Sequence, residues 1–238
     1  MDTGTVLLVL IGTVVAFALS ASVGLGGSLV LIPVLALVLG TKEGVALAAL
    51  LLAGNNIVKV FAYRRTMPVR KSLVVVLLVI VGSAVGASLL VAAPEGVVSL
   101  AVVTCLGLGL LAERLGLDRT RLGGAPVLAF ASGATSGFSG SSGPLKGVAL
   151  RCLSLDRSHL VGAASLVSMA GDATKAGIYT DAGLLSGDSY VLMAALVPVM
   201  VACTFAGRSI NATVGERGYS VLFWGVMGGY TMRLLGFV

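Results

Sequence analysis

Three residues stand where charge is least expected. Asn55, Lys59 and Tyr63 follow at i, i+4 and i+8 in one apolar run, a single helix face, and Gly171, Lys175 and Tyr179 repeat the spacing in another. An ionisable group inside an apolar span is costly and marks a functional candidate, here a cation able to attract a small anion. For Lys59 the alternative is a stem that snorkels to Arg64, about one turn away. Lys175 is harder to place in a loop, although Asp172 at i−3 could hold it in a purely structural ion pair. Asp172 is the only acid within such a run, which also makes it the candidate to carry a coupling proton. Lys146 adds a third cation beside a glycine-rich turn.

Two such turns are present. The first contains Gly24, Gly26, Gly27 and Ser28, and the second Ser139, Gly140, Ser141, Ser142 and Gly143, followed by Pro144. Glycine lets the backbone turn sharply and approach a ligand. A helix starting after the turn offers free N–H groups and the positive end of its dipole. Pro144 suits the first position of such a helix. Two half-helix N-termini meeting near mid-membrane would bind a small oxyanion. The competing reading is that these glycines and serines only permit close helix packing in lipid.

The elements that must hold these groups are membrane helices. The chain has 238 residues, 57% hydrophobic and 11% charged, with 33 glycines and a mean hydropathy of +1.06. A soluble domain carries roughly 25% charged residues, so a soluble fold is excluded. The apolar runs are continuous rather than alternating, which excludes a membrane barrel and leaves an all-α integral membrane protein. Breaks at charges and Gly/Pro clusters give segments near 5 to 23, 26 to 39, 44 to 63, 72 to 92, 97 to 112, 123 to 138, 144 to 155, 160 to 179, 189 to 207 and 218 to 236, about ten in all. The second and seventh are short, so the glycine turns between segments 1 and 2 and between 6 and 7 either join full crossings or form re-entrant hairpins. The first run lacks a basic leader and reads as a retained helix. Cys105, Cys152 and Cys203 have no ligand spacing and read as small core residues, so no metal or other cofactor is expected. The net charge of +6 is a matter of loop asymmetry and not of nucleic-acid binding.

That asymmetry sets the topology. If every segment crosses, one side holds Arg64, Arg65, Arg70, Lys71, Arg114, Arg119, Arg121, Arg151, Arg157, Arg208 and Arg217, while the other holds Lys42 and Arg233. The Arg-rich loops are therefore expected in the cytoplasm and both termini outside. Sliding the chain on itself by 116 residues superposes Gly24 on Gly140, Gly27 on Gly143, Lys59 on Lys175 and Tyr63 on Tyr179, although the chain has only five lysines and five tyrosines. Residues 1–116 and 117–238 thus form two five-segment halves. Because five is odd, the second half is inverted, as in many secondary transporters.

Three stretches carry a resemblance: Gly24-Leu25-Gly26-Gly27-Ser28 followed by Pro33, Ser136 through Gly140 with Gly143-Pro144-Leu145, and Gly82-Ser83-Ala84-Val85-Gly86. Together they resemble the TauE/SafE sulfite exporter family of membrane permeases over nearly the whole chain. The resemblance implies export of sulfite, sulfonates or related sulfur-containing anions across the cytoplasmic membrane, with lipid the surrounding partner and the oligomeric state open. Ser141 and Ser142 stand where the family is usually richer in glycine. Two rivals remain: a passive channel for small anions, and a rhomboid-like intramembrane serine protease. The latter is suggested by Gly137-Phe138-Ser139-Gly140, but only His159 could serve as its base, about twenty residues on at a helix boundary.

Overall fold

The computed structural model describes residues 7, 9–14, 16–17, 27–114, 124–153, 155 and 157–210, and among them every regular element is a helix. These are α1 (Gly27–Leu39), α2 (Thr41–Tyr63), α3 (Val69–Ala92), α4 (Glu95–Arg114), α5 (Ala125–Ser139), α6 (Gly143–Arg151), α7 (Arg157–Asp181) and α8 (Gly187–Ile210). A 3-10 turn at Arg64–Thr66 joins α2 to α3. The first expected segment is described only in part, and the tenth lies outside the described residues.

The helices α2, α3 and α7 each begin three residues earlier than their apolar runs, through Thr41-Lys42-Glu43, Val69-Arg70-Lys71 and Arg157-Ser158-His159. Hydropathy falls at the first charged residue, whereas backbone hydrogen bonding continues through it. The start of α2 is capped from another helix. Glu95 Oε1 accepts the N–H groups of Thr41 (2.6 Å) and Lys42 (3.1 Å), and Lys42 Nζ donates to the Val91 carbonyl at 2.9 Å. A carboxylate at a helix N-terminus satisfies orphan donors and complements the dipole.

The Thr41–Thr66 and Val69–Ala92 stretches are long and apolar enough to cross a membrane. On α3 the large apolar residues Leu73, Val74, Leu77, Val81, Val85 and Leu89 face outward, while Ser72, Gly82, Ser83 and Gly86 lie on the buried stripe. This is the reverse of a soluble helix, and it is what a lipid-facing helix with a small-residue interface requires. The same inversion corrects the expectation for cysteine: Cys152 is exposed just after α6, and Cys105 and Cys203 are only half-buried. An apolar run in lipid has no need to hide its thiols. The nine residues of α6 rise only about 13 Å, too little for a hydrocarbon core of about 30 Å.

Two helix pairs fix the relative directions. A Cβ built on Gly162 of α7 would lie 2.7 Å from the Thr66 carbonyl in the 3-10 turn that follows α2, while Asn56 of α2 bonds Asp172 further along α7. The two helices therefore run antiparallel. By contrast, α3 and α5 run parallel along a seam where Gly82 abuts the Phe130 carbonyl, Gly86 the Ala134 carbonyl, Gly133 the Val79 carbonyl and Gly137 the Ser83 carbonyl. Glycines four apart on both helices let the backbones touch.

Candidate substrate site

The turn between α5 and α6 is built around Gly140, which ends α5 in the left-handed region (φ +80°) and would place a Cβ 2.6 Å from Ile32 Cδ1 of α1. Only glycine meets both demands without strain. The turn is thereby pressed against the first half of the chain. Ser141 and Ser142 are buried, and Ser28 Oγ near the start of α1 lies 3.4 Å from Ser141 Oγ. Gly27 opens α1 and Gly143 opens α6, so the starts of these two helices meet at Ser28 and Ser141. Gly24 and Gly26 lie outside the described residues.

Behind the turn stands Lys175, which is fully buried. Its ammonium lies 2.7 Å from Asp172 Oδ1 and donates to Ser136 Oγ (2.9 Å) and the Gly140 carbonyl (3.2 Å). A lysine has three donors, and three acceptors are supplied. Ser136 lies in the last turn of α5 and Gly140 caps it, so Lys175 is a cation on the negative end of that helix dipole. With that end neutralised, the positive end of α6 across the turn is left uncancelled. Of the two roles the sequence offers Lys175, the ion pair with Asp172 is formed in this conformation, and through it the lysine holds the turn. One turn further along α7, the buried Tyr179 donates to the Gly137 carbonyl.

Asp172 is shared. Its Oδ2 accepts from Asn56 Nδ2 at 2.7 Å, while Oδ1 faces Lys175. Lys146, in the first turns of α6, donates to Ser168 Oγ of α7 at 2.8 Å and lies within electrostatic reach of Asp172 and Lys175. Lys59 lies within such reach of Lys146 and Asp172. The candidate cations are thus electrostatically coupled to Asp172, with Lys175 alone in contact with it. Asn55 is buried on α2 beside Asn56. Tyr63 departs from its counterpart Tyr179: it is half-buried and lines a 630 Å³ groove with Phe61, Arg64, Arg65 and Val201. Ser139 is buried with its hydroxyl donating to the Thr135 carbonyl at 2.9 Å, whereas His159 is exposed and lines a separate groove with Arg70 and Lys71.

Three partners escaped the sequence reading: Asn56, Ser136 and Ser168. A signal for the first was available, because the 116-residue shift places Asn56 on Asp172, its near-isostere. Ser168 had none, since a serine in a helix is ordinarily a packing residue.

Among the described residues, helices with apolar outer faces enclose the buried Lys175, Asp172 and several serines, the make-up of a membrane transporter. The chain belongs to the sulfite exporter TauE/SafE family, whose model matches residues 8–234. No curated protein and no solved structure matches it.

Proposed function

We propose that the protein is a secondary transporter that exports small sulfur-containing oxyanions, of the sulfite and sulfonate class, across the cytoplasmic membrane. The observation that carries this reading is the buried Lys175–Asp172 pair, with the half-buried Lys59 and Lys146 within electrostatic reach of the same carboxylate. An excess of cation in a low-dielectric site selects for anions. The meeting of the α1 and α6 N-termini at Ser28 and Ser141 supplies backbone donors beside it. The substrate contacts assigned are Gly24, Gly26, Gly27, Ser28, Asn55, Lys59, Tyr63, Ser139 to Gly143, Lys146, Lys175 and Tyr179, with Asp172 carrying a coupling proton.

Two inverted halves, 1–116 and 117–238, frame this site. Their support is that α1 and α6 start 116 residues apart, as do α2 and α7, and that the latter pair runs antiparallel. The short α6 favours a re-entrant hairpin over a full crossing. With Arg-rich loops in the cytoplasm, Arg65 and Asp181, both exposed, stand on opposite sides. Replaced singly by cysteine after Cys105, Cys152 and Cys203 are made serine, they are expected to label with an impermeant maleimide from opposite faces. Labelling from the same face rejects the inverted arrangement.

The function is tested by proteoliposome uptake of sulfite, sulfate, thiosulfate and small sulfonates, with and without a pH gradient. Saturable movement of at least one sulfur oxyanion, altered by the gradient, is expected. Single-channel currents carried by unrelated small anions would replace the transporter reading with a channel.

A further inference from the structure

The Asn56–Asp172 hydrogen bond joins two residues 116 positions apart, the offset of the repeat. Along the antiparallel pair Asn56 meets Asp172, and Thr66 in the turn just beyond α2 meets Gly162, so residue i of α2 lies opposite about residue 228 − i of α7. Only at position 56 does that partner coincide with the repeat equivalent. In the inverted arrangement proposed above, the local two-fold axis relating α2 to α7 passes between Asn56 and Asp172. Each side chain is followed at i+3 by a lysine, Lys59 on α2 and Lys175 on α7. The same axis would relate the two lysines, and amide and carboxylate differ in charge but hardly in shape.

Resting on the transporter reading above, we infer that Asn56 is a positioning residue that holds the Asp172 carboxylate on this axis, where it serves as the common counter-ion of Lys175 and Lys59 and changes partner between the two access states. In the present conformation it faces Lys175, which closes the α5–α6 turn. In the alternate state it faces Lys59, and Lys175 is released from its ion pair. A bistable element of this kind needs its charge on the axis, and the axis makes the two seats equivalent.

The test is a charge swap. In proteoliposomes loaded for sulfite counterflow, with rates taken per folded molecule, Asp172→Asn is expected to lower turnover by about tenfold or more while the apparent KM for sulfite changes by less than about threefold. The double variant Asn56→Asp with Asp172→Asn restores the carboxylate in the other seat and is expected to recover turnover to within about threefold of wild type. Should that variant not fold, Lys59→Met combined with Asp172→Asn decides: its loss is expected to be no greater than that of the worse single variant, because both remove one exchange. A folded swap variant as slow as Asp172→Asn, or losses from Lys59→Met and Asp172→Asn that multiply, overturns the shared counter-ion. A wild type inactive toward the whole anion panel overturns the transport reading itself and this inference with it.

Discussion

Valine at Gly86 is expected to abolish the folded protein, and valine at Gly137 to do the same. At Gly86 any Cβ would fall on the Ala134 carbonyl, and at Gly137 on the Ser83 carbonyl with the Ala87 nitrogen 2.6 Å away. These obstacles are backbone atoms of neighbouring helices, so no rotamer change relieves them and α3 and α5 must separate. Overpacking a core ordinarily costs about 1–3 kcal/mol, and separating a backbone-to-backbone seam takes the cost beyond that range. Gly177→Ala provides the control. It is exposed on α7 with nothing within 4 Å of its built Cβ, and the change is expected to be neutral or stabilising by up to about 1 kcal/mol. Fluorescence-detected size exclusion after a heating series reads both outcomes. Equal melting of Gly86→Val and wild type would show that the seam is not a determinant of the fold.

The second large effect is expected at the buried ion pair. Lys175→Met leaves the Asp172 charge without its closest cation, and Asp172→Asn leaves the Lys175 ammonium fully buried without its carboxylate. Removing one partner of a buried pair costs about 3–5 kcal/mol, whereas replacing both is often near neutral. Each single variant is therefore expected to melt well below wild type and the double variant to recover most of the loss. Sulfite binding, measured by calorimetry on the same samples, separates two roles. If Lys175 only holds the α5–α6 turn, the double variant binds as wild type does; if it also contacts the anion, binding stays weak despite restored stability. Lys175→Arg is expected to keep the charge but to lose the fit, because a planar guanidinium cannot reproduce three acceptors arranged around one nitrogen.

Much of this architecture was legible before any coordinates. The continuous apolar runs required helices, the second glycine cluster fell at the break between α5 and α6, and Asp172 at i−3 from Lys175 anticipated their ion pair. What could not be read was which surfaces meet. Gly82, Gly86, Gly133 and Gly137 are all visible as small residues, but nothing local says that the two pairs face each other, because apolar stripes in lipid do not distinguish partner from solvent. The fate of equivalent residues was hidden for a related reason. Tyr63 and Tyr179 match in sequence, yet one lines a groove beside Arg64 and Arg65 and the other closes on the Gly137 carbonyl. Repeat equivalence constrains the backbone, and the neighbours decide what a side chain touches.

The parallel glycine seam also sets a timetable for biosynthesis. Gly86 and Gly137 are about 50 residues apart in the chain, so at roughly 5–20 residues per second they leave the ribosome about 3 to 10 s apart. Throughout that interval α3 carries its small-residue stripe without α5. Any other helix with a matching stripe, including one from a second nascent copy, could dock there first. Slower translation between α3 and α5 is therefore expected to lower the yield of correctly paired molecules, an effect that synonymous codons over residues 93–124 would change without altering the protein.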